Sequence, residues 1–499
     1  YHTGKEIARP RAFQKKGRSP LEQKRLNRKA LFETLPVWQA ILKLALPSVA
    51  GQIILVIYNM ADAFFVGLTG SDEKIAAVTL CMPAFLVLSA LANLFGVGGA
   101  SMIARALGDG RHSLARHTAA FSLAGCAACS VLYGLLVWLL GGSFIRLLGG
   151  ADPAVLGLAQ DYLFYTVVLG GAATALNTLF SHLLRAEGRS LQASLGIALG
   201  GVLNIGLDPL LMFRLLPAGQ ETRGAAIATM LSNLISLLYY GAVLFLGRKH
   251  SDLSFRPCRA MLEDDIPRGV LSAGLPACLM TLLENLSFAV LEHLMSLQGT
   301  AVQAGVGVAK KVNMLAHCIV RGMAQGVLPL IGYSYSSGDH RRMRAVVARS
   351  AAFSVATASL CTVACLLFPR ALCAVFLRGS SSSLDYAARF LQILSLGAPF
   401  SAWAYLCISF FQAAGQGHRS FLLACCRKGF VDIPLMLLLR LASPVFGPCW
   451  ATPIADLFCC GLAAFLFFRF LHGLAKKPEL CYAEDKTSDI VEETKQQEA

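Results

Sequence analysis

The chain has 499 residues, 56% of them hydrophobic and 15% charged, with a mean hydropathy of +0.59. Soluble domains carry about 25% charged residues, so this composition excludes an ordinary soluble protein and points to a polytopic membrane protein. The net charge of +15 would suggest a nucleic-acid partner in a soluble chain, but here no nucleic acid is implied, because the charges are distributed as an orientation signal.

Residues 1–37 hold ten Lys and Arg against Glu6, Glu22 and Glu33, a basic cytoplasmic tail expected in solvent or along anionic headgroups. Ser19-Pro20 ahead of LEQKRLNRKAL has the form of a capped short surface helix. The stretch is too polar to read as a cleavable leader. Twelve apolar segments of about 20 residues follow, each long enough to cross a bilayer. They begin near 38, 77, 117, 157, 190, 224, 267, 303, 346, 386, 420 and 449. The side holding the termini and the even-to-odd connections carries 33 Lys and Arg against 8 on the other, which places both termini in the cytoplasm. The remaining three, Lys310, Lys311 and Arg321, fall in the eighth span.

In the first span Pro47 has no N–H to give the carbonyl of Lys43, so a hinge or a fixed kink is expected there. The fifth span, LGIALGGVLNIGLDPLLMF (195–213), sets Asn204 and Asp208 four residues apart, on one helix face. A carboxylate at that depth costs roughly 2.5–3.5 kcal/mol, so it faces the bundle interior or an aqueous cavity. Pro209 leaves the carbonyl of Ile205 without its donor, a third oxygen aimed at the same region. Together these read as a cation site, with a structural polar pair bonded to a neighbouring helix as the alternative.

The segment 248–266 is the longest cytoplasmic connection and the natural linker between a first lobe (38–247) and a second (267–473). Four landmarks recur across it: Pro47 as Pro276, Gly108-Asp109-Gly110-Arg111 as Gly338-Asp339-His340-Arg341, Arg185-Ala186-Glu187-Gly188 as Gln412-Ala413-Ala414-Gly415, and Pro209 as Pro434. Their offsets of 229, 230, 227 and 225 predict two six-helix repeats of the same orientation, with substrate at their interface. Pro276 frees the carbonyl of Ser272 and is the second hinge candidate. Glu284, mid-span in the seventh helix, is a candidate for a cationic substrate or ion, or else a partner of Lys310, Lys311 or Arg321. Glu292 is a further intramembrane acid, while Asp432 and Asp456 read as structural groups. The tail 474–499 is acidic and expected to be disordered.

Sixteen cysteines scattered through apolar runs behave as small hydrophobes rather than as a disulfide framework. Gly96-Val97-Gly98-Gly99 and Gly305-Val306-Gly307 mimic pieces of a dinucleotide loop but follow no strand, so they read as helix-packing glycines. There is no Walker A, HExxH or GxSxG sequence, which argues against an ATP-driven pump and a familiar hydrolase; the chain is not expected to be an enzyme, and no catalytic residue is assigned.

The segments ALPSVAGQIILVIYNMADAFFVG (45–67), NLFGVGGASMIARALGDG (93–110), LLRAEGR (183–189), NIGLDPLLMF (204–213), GAAIAT (224–229) and FFQAAGQG (410–417) together resemble the MATE family of multidrug and toxic-compound extrusion transporters, in particular its MepA-like bacterial branch. The resemblance spans about 38–473 and implies an all-α integral membrane fold of twelve transmembrane helices, in two lobes around a central cavity. It further implies exchange of cytoplasmic substrate for external Na⁺ or H⁺, in a bacterial cytoplasmic membrane. By motif position it implies a coupling site of Asp62, Asn204, Asp208 and Thr229, where Na⁺ is the metal that the oxygens suit. If Asp62 and Asp208 approach closely, a shared proton serves equally well.

Tyr58, Met60, Phe64, Phe65 and Met280 are candidates to line an adaptable cavity for flat lipophilic cations, or else to fill helix contacts. No cofactor is expected beyond the coupling ion, the partners are small cationic or lipophilic molecules and the bilayer, and nothing demands more than a monomer. Two other classes remain: a flippase for lipid-linked precursors, expected to line its cavity with basic residues, and a non-transport integral membrane protein.

Overall fold

With no water in the hydrocarbon region to satisfy exposed N–H and C=O groups, apolar spans fold as helices, and among the described residues there is no strand. The structure, a computed structural model, describes residues 29–147, 152–217, 219–248, 251–256, 258–263, 265–376 and 381–476. The surface helix expected after Ser19-Pro20 and nearly all of the acidic tail lie outside them.

The first lobe holds α1 (Val37–Leu68), α2 (Asp72–Gly108), α3 (His112–Leu147), α4 (Pro153–Leu163), α5 (Gly171–Ala186), α6 (Ser190–Leu210) and α7 (Glu221–Gly247). The second holds α8 (Ile266–Ser296), α9 (Thr300–Ser336), α10 (His340–Leu367), the short α11 (Pro369–Ala374), α12 (Ser381–Ser395), α13 (Ala398–Ala413), α14 (Gly417–Cys425), α15 (Asp432–Ala442) and α16 (Gly447–Lys476). Among the described residues, nine helices are long and apolar enough to cross a membrane alone. Two further spans are bent pairs, α4 with α5 and α12 with α13, each broken by 47°. Where the sequence predicts a further span, α14 and α15 are joined through a π-helical turn, Cys426–Phe430, which carries Arg427 and Lys428, and the pair does not pass as a span by length and composition.

The two bends fall at Gly170 and Gly397, 227 residues apart, and both sites are crowded. A Cβ at Gly170 would come within 2.8 Å of the Tyr165 carbonyl, and one at Gly397 within 3.0 Å of Asp456. Pro47 and Pro276, the expected hinges, sit inside helices that run on without a break.

The lobes meet in two crossings built to the same plan. Gly98 on α2 lies against the backbone of Val270 and Gly274 on α8, and a Cβ at Gly274 would overlap the Leu94 carbonyl. In the other crossing a Cβ at Gly326 on α9 would lie 2.5 Å from Cα of Ala45 on α1. Gly98 answers Gly326 at an offset of 228, and Ala45 answers Gly274 at 229, so the duplication extends to the inter-lobe contacts. Small residues let membrane helices approach this closely, and dispersion then holds them.

The end that carries the even-to-odd connections is closed. Ser101 Oγ donates to the Gln412 carbonyl across the lobes at 2.5 Å. Residues 30–34, expected in solvent or along headgroups with the rest of the basic tail, instead form a π-helical turn that buries Phe32 and leaves Glu33 and Thr34 exposed. Phe32 is only 1% exposed and stacks on Tyr333 with centroids 4.8 Å apart, while the Tyr333 hydroxyl donates to Glu33 at 2.6 Å. The apolar Leu31 and Phe32 interrupt the basic run and give it a surface worth burying. The linker is docked as well: Glu187 accepts from Ser251 Oγ at 2.7 Å and from the Asp252 N–H at 2.8 Å.

Candidate functional site

Gly201 lets α6 approach α1 at Ile54 and Tyr58, close to where Asn204, Asp208 and Asp62 project. Pro209 follows inside α6, and the chain then widens into a π-helical turn, Leu211–Leu215, before α7 returns with Thr229. Asp208 is fully buried, Asn204 2% exposed and Thr229 8% exposed. Asn204 Nδ2 donates to Asp208 Oδ1 at 3.3 Å and reaches Thr229 Oγ1 at 3.4 Å. Asp62 and Asp208 lie within electrostatic reach of each other.

Three buried oxygens here have no hydrogen-bond partner: Asp62 Oδ1, Asn204 Oδ1 and Asp208 Oδ2. Among the described residues neither carboxylate forms an ion pair with Lys or Arg. Buried polar atoms are nearly always satisfied, so three orphaned acceptors on neighbouring helices are open to a donor or a cation. Carboxylate, amide and hydroxyl oxygens are hard ligands, fitted to Na⁺ and equally able to take a proton.

The second lobe carries the same constellation with one change. Lys428, Asp432 and Thr452 answer Asn204, Asp208 and Thr229 at offsets of 224, 224 and 223. Asp432 is fully buried and wholly satisfied, accepting from Ser287 Oγ at 2.6 Å, Thr452 Oγ1 at 3.2 Å and Lys428 Nζ at 3.3 Å. A tethered ammonium therefore stands where the first lobe leaves oxygens unmet. The offset of 225 that pairs Pro209 with Pro434 points one residue past Lys428 and Asp432, to Gly429 and Ile433, so the sequence landmarks alone did not mark this set.

Glu284 is also engaged. It pairs with Arg321 at 2.8 Å and with Arg427 at 3.1 Å, and accepts from the Tyr405 hydroxyl. Arg427 in turn pairs with Asp456 at 2.9 Å and lies over the Tyr405 ring, 4.1 Å from its centroid. Of the three partners weighed for Glu284, Arg321 is present, whereas Lys310 and Lys311 are not in the network. Arg427 and Tyr405 were not signalled by the sequence, because they reach Glu284 from helices distant along the chain.

Between the lobes a narrow cavity of about 60 Å³ is lined by Asn93, Arg185, Met280, Gln325 and Gln412, among others. A larger one of about 690 Å³ lies within the second lobe, beside Phe288, Lys310, Lys311, Asn313 and Lys428. The two share Glu284, Arg321 and Tyr405. Of the residues expected to line a cavity, Met280 faces the central one. Tyr58 sits beside the Asp62 and Asp208 charges, Phe64 is 61% exposed and packs edge-on against Phe65, and Met60 lines neither cavity.

A sequence model of the MatE family matches residues 47–210 and again 276–438, once in each lobe. The multidrug export protein MepA of Staphylococcus haemolyticus (strain JCSC1435) is 27% identical over 452 residues, covering 89% of this chain and 96% of that protein. MepA of Staphylococcus aureus (strain MRSA252) is likewise 27% identical, over 88% of this chain and 95% of its own length. Among solved structures, a MATE in the straight conformation superposes with a TM-score of 0.81 at 24% identity, covering 90% of this chain and 99% of that one. An outward-facing multidrug resistance MATE family transporter of the MOP superfamily gives 0.79 at 24% identity, covering 92% of this chain and 99% of that one.

Proposed function

The chain belongs to the MatE family, and we propose that it is a cation-coupled antiporter that exports small lipophilic molecules, with Asp62, Asn204, Asp208 and Thr229 as the site of the coupling ion. The observation that carries this reading is the set of unpartnered buried oxygens on Asp62, Asn204 and Asp208. Buried charge without compensation is unfavourable, so the empty site favours a state in which water reaches the carboxylates, and an Na⁺ or a proton removes that need. Ion and substrate then need only prefer different states of one equilibrium for their movements to be coupled.

The same reading assigns the closed, termini-bearing end to the cytoplasm of a bacterial cell and the structure to an outward-facing state, in agreement with the charge bias of 33 to 8. In the inward-facing state the glycine crossings of α2 with α8 and of α1 with α9 separate. Pro47 and Pro276 supply compliance in the two helices that carry Asp62 and Glu284. The named relatives are multidrug exporters, which supports drug-like cargo.

A second reading, a flippase for lipid-linked precursors, is favoured by the basic lining of the second-lobe cavity, Lys310, Lys311, Arg321, Arg427 and Lys428. Dye accumulation in inverted membrane vesicles separates the two. Export coupled to an imposed Na⁺ or pH gradient supports the antiporter, and gradient-independent scrambling of a labelled lipid in its place refutes it.

A further inference from the structure

The second-lobe and central cavities share Glu284, Arg321 and Tyr405 in their walls and so adjoin as two stations of one candidate path. Six basic side chains face it, Arg185, Lys310, Lys311, Arg321, Arg427 and Lys428, against two acids, Glu284 and Glu292. Arg321 and Arg427 are held by Glu284 and Asp456, and Lys428 by Asp432. Three cations are left for a ligand to meet.

Lys310 Nζ rests 3.8 Å from the centroid of the Phe288 ring, with no carboxylate at ion-pair distance among the described residues. Lys311, one residue on, is exposed along the same wall. At the opposite end Arg185 is 2% exposed. Its Nε and Nη2 have no acceptor, and only Nη1 reaches Gln325 Oε1, at 3.5 Å. Gln412, which answers Arg185 in the repeat, is 3% exposed, and its Nε2 also lacks an acceptor. Unsatisfied buried donors on both lobes, one of them a guanidinium, make a seat for acceptor oxygens, and the fork of Arg185 matches a carboxylate or phosphate. Phe288, Val308, Met314 and Leu394 give the larger cavity its apolar wall, and its volume of about 690 Å³ suits a drug-sized body.

We propose that this path binds an amphipathic organic anion, a carboxylate or phosphate on an apolar body, with Lys310 and Lys311 receiving the headgroup in the wide cavity and Arg185 with Gln412 at the narrow end. The cargo of the proposed exporter therefore carries negative charge, alone or as one end of a zwitterion, in place of the purely cationic cargo expected from the sequence. The idea rests on the antiporter reading for the direction of movement only, since equilibrium binding needs no gradient. The same headgroup chemistry is found on soluble acids and on anionic lipids.

The test measures binding of octyl phosphate and decanoate to the purified full chain in neutral detergent, with octyltrimethylammonium as the matched cation. The anions bind and the cation does not. Lys310→Gln and Lys311→Gln each weaken the anions by about tenfold, and Arg185→Gln weakens them further, with partial recovery in Arg185→Lys. Equal binding of the matched cation, or unchanged anion affinity in both lysine variants, overturns the proposal. The lysine variants break no ion pair, so they carry the test even where Arg185→Gln fails to fold. In nanodiscs, competition of octyl phosphate by phosphatidylglycerol identifies a lipid headgroup as the occupant, and its absence identifies a soluble acid; either result keeps the anion in the site. Anion binding without gradient-driven export removes the antiporter reading alone, and export without anion binding removes this proposal alone.

Discussion

Lys428 Nζ lies 3.3 Å from Asp432, at the two positions of the second lobe that answer Asn204 and Asp208 in the first. One repeat thus holds its buried carboxylate with a covalently tethered cation, and in the proposed function the other takes a cation from solution at the corresponding place. Replacing Lys428 by Asn is expected to give the second lobe an exchangeable site as well. Equilibrium ²²Na⁺ binding or proton uptake per chain then doubles relative to the parent protein, whereas Lys428→Met, which brings no oxygen, does not produce the increase.

The two acid clusters differ in what neutralisation does to stability. Asp208→Asn removes a buried charge that no basic side chain balances, so the melting temperature in detergent, without coupling ion, stays level or rises. Glu284→Gln strips Arg321 of its carboxylate, leaves Arg427 with Asp456 alone and is expected to cost about 3–5 kcal/mol, read as a clear fall in melting temperature.

The glycine crossing of α2 with α8 admits no side chain. Gly274→Ala sets a methyl into the Leu94 carbonyl and should cost about 1–3 kcal/mol in the closed arrangement. Hydrogen exchange along 94–108 and 266–280 is the measurement, and both stretches are expected to exchange faster than in the parent protein.

Phe32 seals the termini-bearing end by stacking on Tyr333. Phe32→Ala should cost up to about 3–5 kcal/mol, with faster proteolysis around 30–36 and unchanged cation binding at Asp208. A loss of cation binding in this variant would show that the seal and the site are not independent.

Much of the fold was legible because its causes are local. Apolar runs of span length give the helices, and four paired landmarks gave the duplication, which the structure extends to the bends at Gly170 and Gly397 and to the crossings at Gly98 and Gly326. Asn204 and Asp208 were visible as a pair because four-residue spacing is a property of one helix. What stayed hidden depends on packing between helices far apart in sequence. Arg427 reaching Glu284 and Asp456, the orphaned donors of Arg185 and Gln412, and the burial of Phe32 inside a basic tail are all of this kind. The 47° breaks fall at glycines, while the helices that hold Pro47 and Pro276 run on unbroken, because a proline that loses one hydrogen bond need not break a helix gripped on both sides by its neighbours.

The central claim, that an exchangeable cation on the first-lobe carboxylates drives export, is tested most directly in proteoliposomes by imposing Na⁺ and pH gradients separately and following dye movement in the parent protein, Asp62→Asn, Asp208→Asn and Lys428→Met. Gradient-driven movement is expected in the parent and in Lys428→Met, and its loss in both aspartate variants. Undiminished gradient-driven movement in Asp208→Asn would contradict the account.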